Sequence, residues 1–166
     1  MSALLRRLTA ADAEELTALR LRNRAYFQRW EPDWDDPDEH YTVASVRAWI
    51  VDGNERFAIV DGDAIAGMIA LTGIVRGALQ SAFLGYSVDE ARAGRGLATR
   101  AIGEIVDYAF GELGLHRVEA GTAVANIASQ RVLEKNRFRK VGLLRENVLI
   151  GGRWVDHFLW ERIVGD

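Results

Sequence analysis

Apolar and polar positions along the chain change period several times, and each change marks an element. Leu4 to Leu8 reads as a short strand. Thr9 then serves as an N-cap with Asp12 three residues on, and Ala13, Leu16 and Leu19 take up helical spacing. A second helix fits Tyr41 to Val51, with Val43, Val46, Trp49 and Ile50 on one face. Phe57 to Val60, Ala64 to Val75 and Leu79 to Val88 read as three strands, the first two joined by the turn Asp61-Gly62-Asp63. The strongest helix is Leu97 to Leu113, where Leu97, Ala101, Ile102, Ile105, Val106, Ala109, Phe110 and Leu113 form one stripe and Gly114 stops it. A strand over Leu115 to Thr122 and a helix over Asn126 to Asn136 follow. Val141 to Ile150 and Trp154 to Ile163 are strands hinged on Gly151-Gly152. The order β, α, α, β, β, β, α, β, α, β, β predicts an α/β fold, a mixed sheet with helices on its faces.

Composition narrows the chemistry. The 166 residues fit one domain, 1–166. There is no cysteine, which excludes a disulfide scaffold, a thiolate metal site and a cysteine nucleophile. The net charge of −3 disfavours a duplex-DNA binder, so no direct nucleic-acid partner is expected. No signal peptide is visible in MSALLRRL. The longest uncharged apolar stretch, Ala64 to Val75, falls short of the about 20 residues that a membrane helix needs. The expectation is a cytoplasmic protein with no membrane partner.

The segment Ala93-Gly94-Arg95-Gly96-Leu97-Ala98-Thr99 joins a strand to the strongest helix. Two glycines let a ligand come close to the backbone. The unpaired N–H groups at the helix start and the helix dipole favour an anion. Arg92, Arg95 and Arg100 surround the turn, and a pyrophosphate would suit it. No Gly-Lys pair exists, so the turn is not a P-loop. Thr99 stands where a dinucleotide fingerprint needs a third small residue. A glycine-rich turn with no ligand would look the same locally.

A second segment, Asn126-Ile-Ala-Ser129-Gln-Arg-Val-Leu-Glu-Lys-Asn-Arg-Phe138, lies one strand further on. The two motifs together resemble the GNAT acyltransferase superfamily. Leu21-Arg-Asn-Arg-Ala-Tyr-Phe-Gln-Arg-Trp30-Glu31-Pro32 and Gly152-Arg-Trp154-Val-Asp156-His157 are similar to its Rim-type branch, the ribosomal-protein N-terminal acetyltransferases. The resemblance implies a single-domain fold with a mostly antiparallel sheet of about seven strands and helices on both faces. It also implies acetyl-CoA as cosubstrate, with no metal. Tyr86 to Val88 would pair by backbone with the pantetheine amides, Gly94, Arg95, Gly96, Leu97, Ala98 and Thr99 would hold the pyrophosphate, and Asn126 would bond the arm. Ser129 would protonate the leaving thiolate. Plain N-capping is the alternative reading for Asn126 and Ser129.

Three departures stand out against that pattern. Ala93 replaces the usual Gln or Arg, and Leu133 occupies the place of the Tyr that many members use as proton donor. Arg137 stands where Gly usually precedes the Phe, which bears on the helix C-cap. For the general base, Glu146 lies two residues before Val148, the position that aligns with a Glu in a related member, and so projects to the same face. His157 is a second candidate. An α-amine is far easier to deprotonate than a lysine amine, which costs about 4 kcal/mol near neutral pH. A weak case for a base therefore points to an α-amine acceptor.

The acidic run Glu31 to Glu39 reads as a loop between helices. A solvated loop without a partner is the plain reading. In the family this region overhangs the acceptor, so Trp30 and Glu31 are expected to bind it. With Trp34, they would draw a cationic peptide by steering and cation–π contact. The expected partner is thus a protein or peptide N-terminus, ribosomal in the Rim-type reading, on a monomer or homodimer. The alternatives are a small amine such as an antibiotic or polyamine, and an acyl-CoA-binding module without turnover.

Overall fold

The computed structural model describes residues 4–166. Its elements in chain order are β1 (Leu5–Arg7), α1 (Ala13–Arg22), α2 (Arg24–Phe27), α3 (Val43–Ile50), β2 (Glu55–Asp61), β3 (Ala64–Val75), β4 (Ser81–Val88), α4 (Leu97–Gly111), β5 (Arg117–Ala123), α5 (Ile127–Lys135), β6 (Arg139–Ile150) and β7 (Arg153–Ile163). The strands form one seven-stranded sheet in the order β1-β2-β3-β4-β5-β7-β6. Every neighbouring pair is antiparallel except β4 and β5. That parallel pair needs a crossover, and α4 supplies it. The mixed sheet is the one the residue pattern predicts, and its seven mostly antiparallel strands are what the resemblance implies.

Each face of the sheet has its own core. On one, Leu97, Ala101, Ile102, Ile105, Val106 and Ala109 of α4 and Leu133 of α5 pack on Ile69, Leu71, Leu84, Val118, Ala120 and Trp160. On the other, Leu16 and Leu19 of α1 and Val46 and Ile50 of α3 pack on Ala58, Ile65 and Met68. Strand alternation assigns the faces. Tyr86 points to the α4–α5 side, as Ala82 and Leu84 do.

The structure departs from the residue pattern where side chains bond to backbone. The helix that starts at Ala13 breaks at Asn23. Asn23 Nδ2 donates to Leu19 O and to Asp89 Oδ1, and its Oδ1 accepts from Glu90 N. A side chain that serves three partners from two elements ends the helix there. The helix read over Tyr41 to Val51 starts at Val43, where the Thr42 hydroxyl accepts from Ser45 N. Arg137 settles the cap that the missing glycine put in question. It takes φ +61, and Phe138 N bonds Leu133 O, so the turn closes without glycine. A left-handed non-glycine residue is strained, so Arg137→Gly should stabilise the protein by about 1 kcal/mol, read from the urea midpoint.

The acidic run forms the predicted loop; most of it stays exposed, and its first residue, Glu31, is drawn inward. Arg20 of α1, 2% exposed, faces Glu31 at 3.8 Å and donates to His40 Nε2. Its guanidinium lies 5.1 Å from the Tyr41 ring, and Tyr41 donates its hydroxyl to Glu31. Arg24 pairs with Asp38 at 2.8 Å. Trp34 stacks on His40 with ring centroids 3.8 Å apart. A guanidinium is a permanent donor, so His40 Nε2 must keep its lone pair. Burial, and then the Arg20 charge, push the imidazole down from 6.5 to about 4. The unfolded chain therefore takes up this proton first as pH falls. The contribution is full above pH 6.5 and is lost between 6.5 and about 4. His40→Gln should flatten the fall of the melting temperature across that window. An unchanged slope would show that His40 does not anchor the loop.

Candidate active site

The site begins where two strands part. β4 pairs with β5 from Ser81↔Arg117 to Leu84↔Ala120 and no further. β4 continues on β3 to Val88, paired with Gly67, and β5 continues on β7 to Ala123, paired with His157. Beyond Leu84 the edge of β4 that faces β5 has no strand partner. It offers backbone N–H and C=O groups to an extended ligand with amides of its own. Gly67 lets β3 carry β4 past this point, because a Cβ there would lie 2.4 Å from Ser87 O.

At the end of β4, Asp89 ties the strand to α1. It accepts from Arg22 and Asn23 and caps the turn at Ala91 N. Burial pushes its carboxyl up, but these bonds outweigh that and hold it below the usual range. The glycine turn follows. Gly94 and Gly96 both take φ +76, and a Cβ on either would meet nothing within 4 Å. Gly96 is the N-cap of α4 and has no side chain to cap the helix. The N–H groups of Leu97, Ala98 and Thr99 are thus open to a ligand. This is an uncrowded anion cradle that a pyrophosphate fits. Of the nearby arginines, Arg92 and Arg95 bond Asp61 at 3.0 and 2.9 Å. The backbone therefore carries more of the cradle than the arginine count suggests.

Across the split, α5 presents Asn126 and Ser129. Asn126 Oδ1 accepts from Ser129 N at 3.1 Å, so the N-cap reading holds. That leaves its amide N–H groups free to donate outward. Ser129 Oγ lies 2.6 Å from the Tyr86 hydroxyl. Burial pushes the Tyr86 phenol up to about 12, against the pull of the Ser129 bond, so it stays protonated at neutral pH. Tyr86 can then donate to Ser129 and leave the serine proton for another acceptor. The residue pattern pointed to the backbone of Tyr86 and missed this side-chain role. Leu133, four residues after Ser129, is buried in the core.

The opposite face holds a cavity of about 510 Å³ lined by Gln28, Arg29, Trp30, Ala123, Ala125, Ile150, Gly151, Arg153, Trp154 and Val155. Its floor includes Ala123, at the mouth of the split. Its two walls are the segment after α2 and the β6–β7 hairpin. Asp33 clasps these walls together. Its two carboxylate oxygens accept from Gly151 N and Gly152 N at 2.7 Å each, and its own N–H donates to Leu149 O. Trp30 lines the cavity as expected. Glu31 does not, because Arg20 and Tyr41 hold it inside, and Trp34 is stacked on His40. The expected carboxylate rim is therefore absent from the lining of this cavity.

The two base candidates fare differently. β6 bulges between Leu144↔His157 and Val148↔Val155, and Glu146 sits in the bulge with φ +48. Its N–H donates to Asp156 Oδ1. Alternation does not run through a bulge, so the spacing argument that put Glu146 on the face of Val148 fails. Glu146 is exposed beside Asn147 and Asp156 in an open depression. His157 is buried, and its Nδ1 lies 3.0 Å from Val155 O. A carbonyl only accepts, so Nδ1 carries a proton and is used in holding the ring against its own strand.

A split sheet beside a glycine turn at a helix start, with a second cleft on the far face, is a framework for acyl transfer from a thioester carrier. Comparison with known proteins makes this specific. The acetyltransferase (GNAT) domain matches residues 3–139, and the chain belongs to that family. It is 43% identical over 162 residues to a probable N-acetyltransferase, YjcK, of Bacillus subtilis, which covers 92% of this chain and 88% of the relative. It is 28% identical to the [ribosomal protein uS5]-alanine N-acetyltransferase of Escherichia coli, over 89% of this chain and 80% of that one. Among solved structures, Mycobacterium smegmatis RimJ in complex with CoA-disulfide superposes with a TM-score of 0.89 at 31% identity, covering 96% of this chain and 81% of its own. The protein is an acetyl-CoA-dependent N-acetyltransferase.

The glycine turn gives the sharpest check on the donor site. Gly96→Val places a branched side chain in a left-handed position and in the open space of the cradle. It should weaken acetyl-CoA binding by at least about tenfold, read by calorimetry on protein whose circular dichroism is unchanged. Unchanged affinity in a folded variant would move the pyrophosphate elsewhere.

Proposed function

We propose that the acceptor is the α-amine at the N-terminus of a protein or peptide, with ribosomal proteins as the class toward which the uS5-alanine relative points. One observation carries this reading. The split between β4 and β5 has different residues on its two faces. Tyr86 and Ser129 lie on the α4–α5 side, while Ala123, Val155 and Ile150 line an open cleft on the other. A donor laid along the split and a chain end in the cleft would meet at Ala123. That arrangement suits direct attack in a ternary complex and needs no covalent enzyme intermediate.

The thioester supplies an electrophilic carbonyl and a thiolate leaving group. In this reading Gly94 to Thr99 bind the pyrophosphate, the free edge of Tyr86 to Val88 pairs with the pantetheine amides, and Asn126 bonds the arm. The C–N bond forms as the C–S bond breaks. The departing sulfur takes its proton from Ser129 Oγ, which Tyr86 orients and resupplies; the new amide nitrogen sheds its second proton to solvent, and a proton from solvent restores the Tyr86–Ser129 pair. A free α-amine gives up its extra proton to water at low cost, so no buried carboxylate base is required.

A panel of free N-terminal peptides, polyamines and aminoglycosides, read by mass spectrometry, tests the acceptor. Label on the α-amine supports the reading, and label confined to polyamines or lysine side chains overturns it. Ser129→Ala should lower kcat about a hundredfold while acetyl-CoA affinity changes little. A loss below about threefold would reduce Ser129 to a helix cap. Tyr86→Phe should lower kcat less. The double variant should be no worse than Ser129→Ala alone, because the phenol acts only through the serine.

A further inference from the structure

The charge of the acceptor cleft is opposite to that of the loop above it. Arg29 and Arg153 stand on its two walls, one after α2 and one on the hairpin. About half of the arginines are tied to carboxylates, such as Arg6 to Asp12, Arg7 to Glu55, Arg22 to Asp89 and Arg56 to Asp52. Among the described residues, neither Arg29 nor Arg153 has a carboxylate within 4.0 Å. No Asp or Glu lines the cavity. The acid bonded to its hairpin wall, Asp33, points its two oxygens at the glycine N–H groups and is not part of the lining. Two exposed indoles, Trp30 at 37% and Trp154 at 62%, complete the walls.

From this we infer that the enzyme selects N-termini with an acidic side chain within their first few residues, and rejects lysine-rich termini and polyamines. The inference rests on the peptide reading above and adds the charge that the cleft selects. A guanidinium stays charged at any working pH and matches a carboxylate with two parallel N–H bonds. Two of them across a cleft raise the local concentration of anions. A lysine or a polyamine brought into the same cleft meets two like charges and finds no carboxylate in the lining, which is rejection as well as selection. The indole faces suit an apolar neighbour of the acidic residue. Trp34, by contrast, stacks one face on His40 and does not line the cleft.

The test uses three peptide series with a free alanine N-terminus and Glu, Gln or Lys at positions two and three. In low salt, kcat/KM should follow Glu > Gln > Lys, with Glu ahead of Lys by at least about tenfold, mostly through KM. Salt should reduce the advantage. Arg29→Gln and Arg153→Gln should each cut the Glu-over-Lys ratio by about threefold, and together bring it near one, while acetyl-CoA affinity by calorimetry stays unchanged. Equal or better turnover of the Lys series, or a Glu preference that survives the double variant, overturns the inference and leaves the peptide reading standing. Acetylation of polyamines with none of any peptide overturns both.

Discussion

The divergence of β4 and β5 is the constraint on which the rest of this structure depends. The two strands make the only parallel pair in an otherwise antiparallel sheet, and they bond over only half the length of β4. A sheet interrupted at its centre loses ladder bonds and exposes backbone groups, so both flanking strands must be held by other means. β4 is held by the Gly67 contact and by Asp89, and β5 by its full register with β7. The apolar layer of α4 and α5 spans the split on one side, with Leu133 and Trp160 fully buried. Parallel pairing also requires α4 as a crossover, and that places a helix start directly after the free edge. The anion cradle and the free edge are thus two consequences of one topological choice.

The acidic loop shows why charge in a sequence is a poor guide to charge on a surface. Six carboxylates in nine residues invite the idea of a cation-attracting rim. In the folded chain only Glu31 turns inward, and several of the exposed ones are taken up by bonds within the fold. Glu31 faces buried Arg20, Asp33 holds the hairpin, Asp36 caps the N–H groups of Asp38 and Glu39, and Asp38 pairs with Arg24. Burial pushes Glu31 up, and Arg20 and the Tyr41 hydroxyl act against that. The loop is a strut between α1 and the β6–β7 hairpin. What it leaves facing the cleft is Trp30, not acid.

How much of this was legible beforehand follows from the range of the forces involved. The seven strands and four of the helical segments were readable because burial on one face imposes a period, and Leu97 to Leu113 shows it most clearly. The glycine turn was legible because left-handed backbone leaves a residue signature. Contacts between distant segments left none. Nothing local marks Tyr86 as a partner of Ser129, or Asp33 as a clasp for Gly151 and Gly152. Glu146 was misjudged for a related reason: a bulge in β6 shifts the phase of alternation, and no glycine or proline between Leu144 and Val148 signals it.

The clasp itself decides how selective such a site can be. A cleft between a loop and a hairpin tip would ordinarily have mobile walls, since neither is part of the packed core. Here Asp33 bonds two successive N–H groups of a turn whose glycines take φ +58 and +71, and its own N–H returns to Leu149 O. Three bonds from one residue fix the two walls relative to each other. The backbone that carries Arg29 is thereby held in a fixed relation to the backbone that carries Arg153, and both residues line one cleft. A carboxylate placed on the loop has been used to build the frame, so its oxygens point at the glycine N–H groups and no Asp or Glu side chain lines the cleft. Removing acid from the lining and fixing the arginine-bearing walls are two results of the same hydrogen bonds.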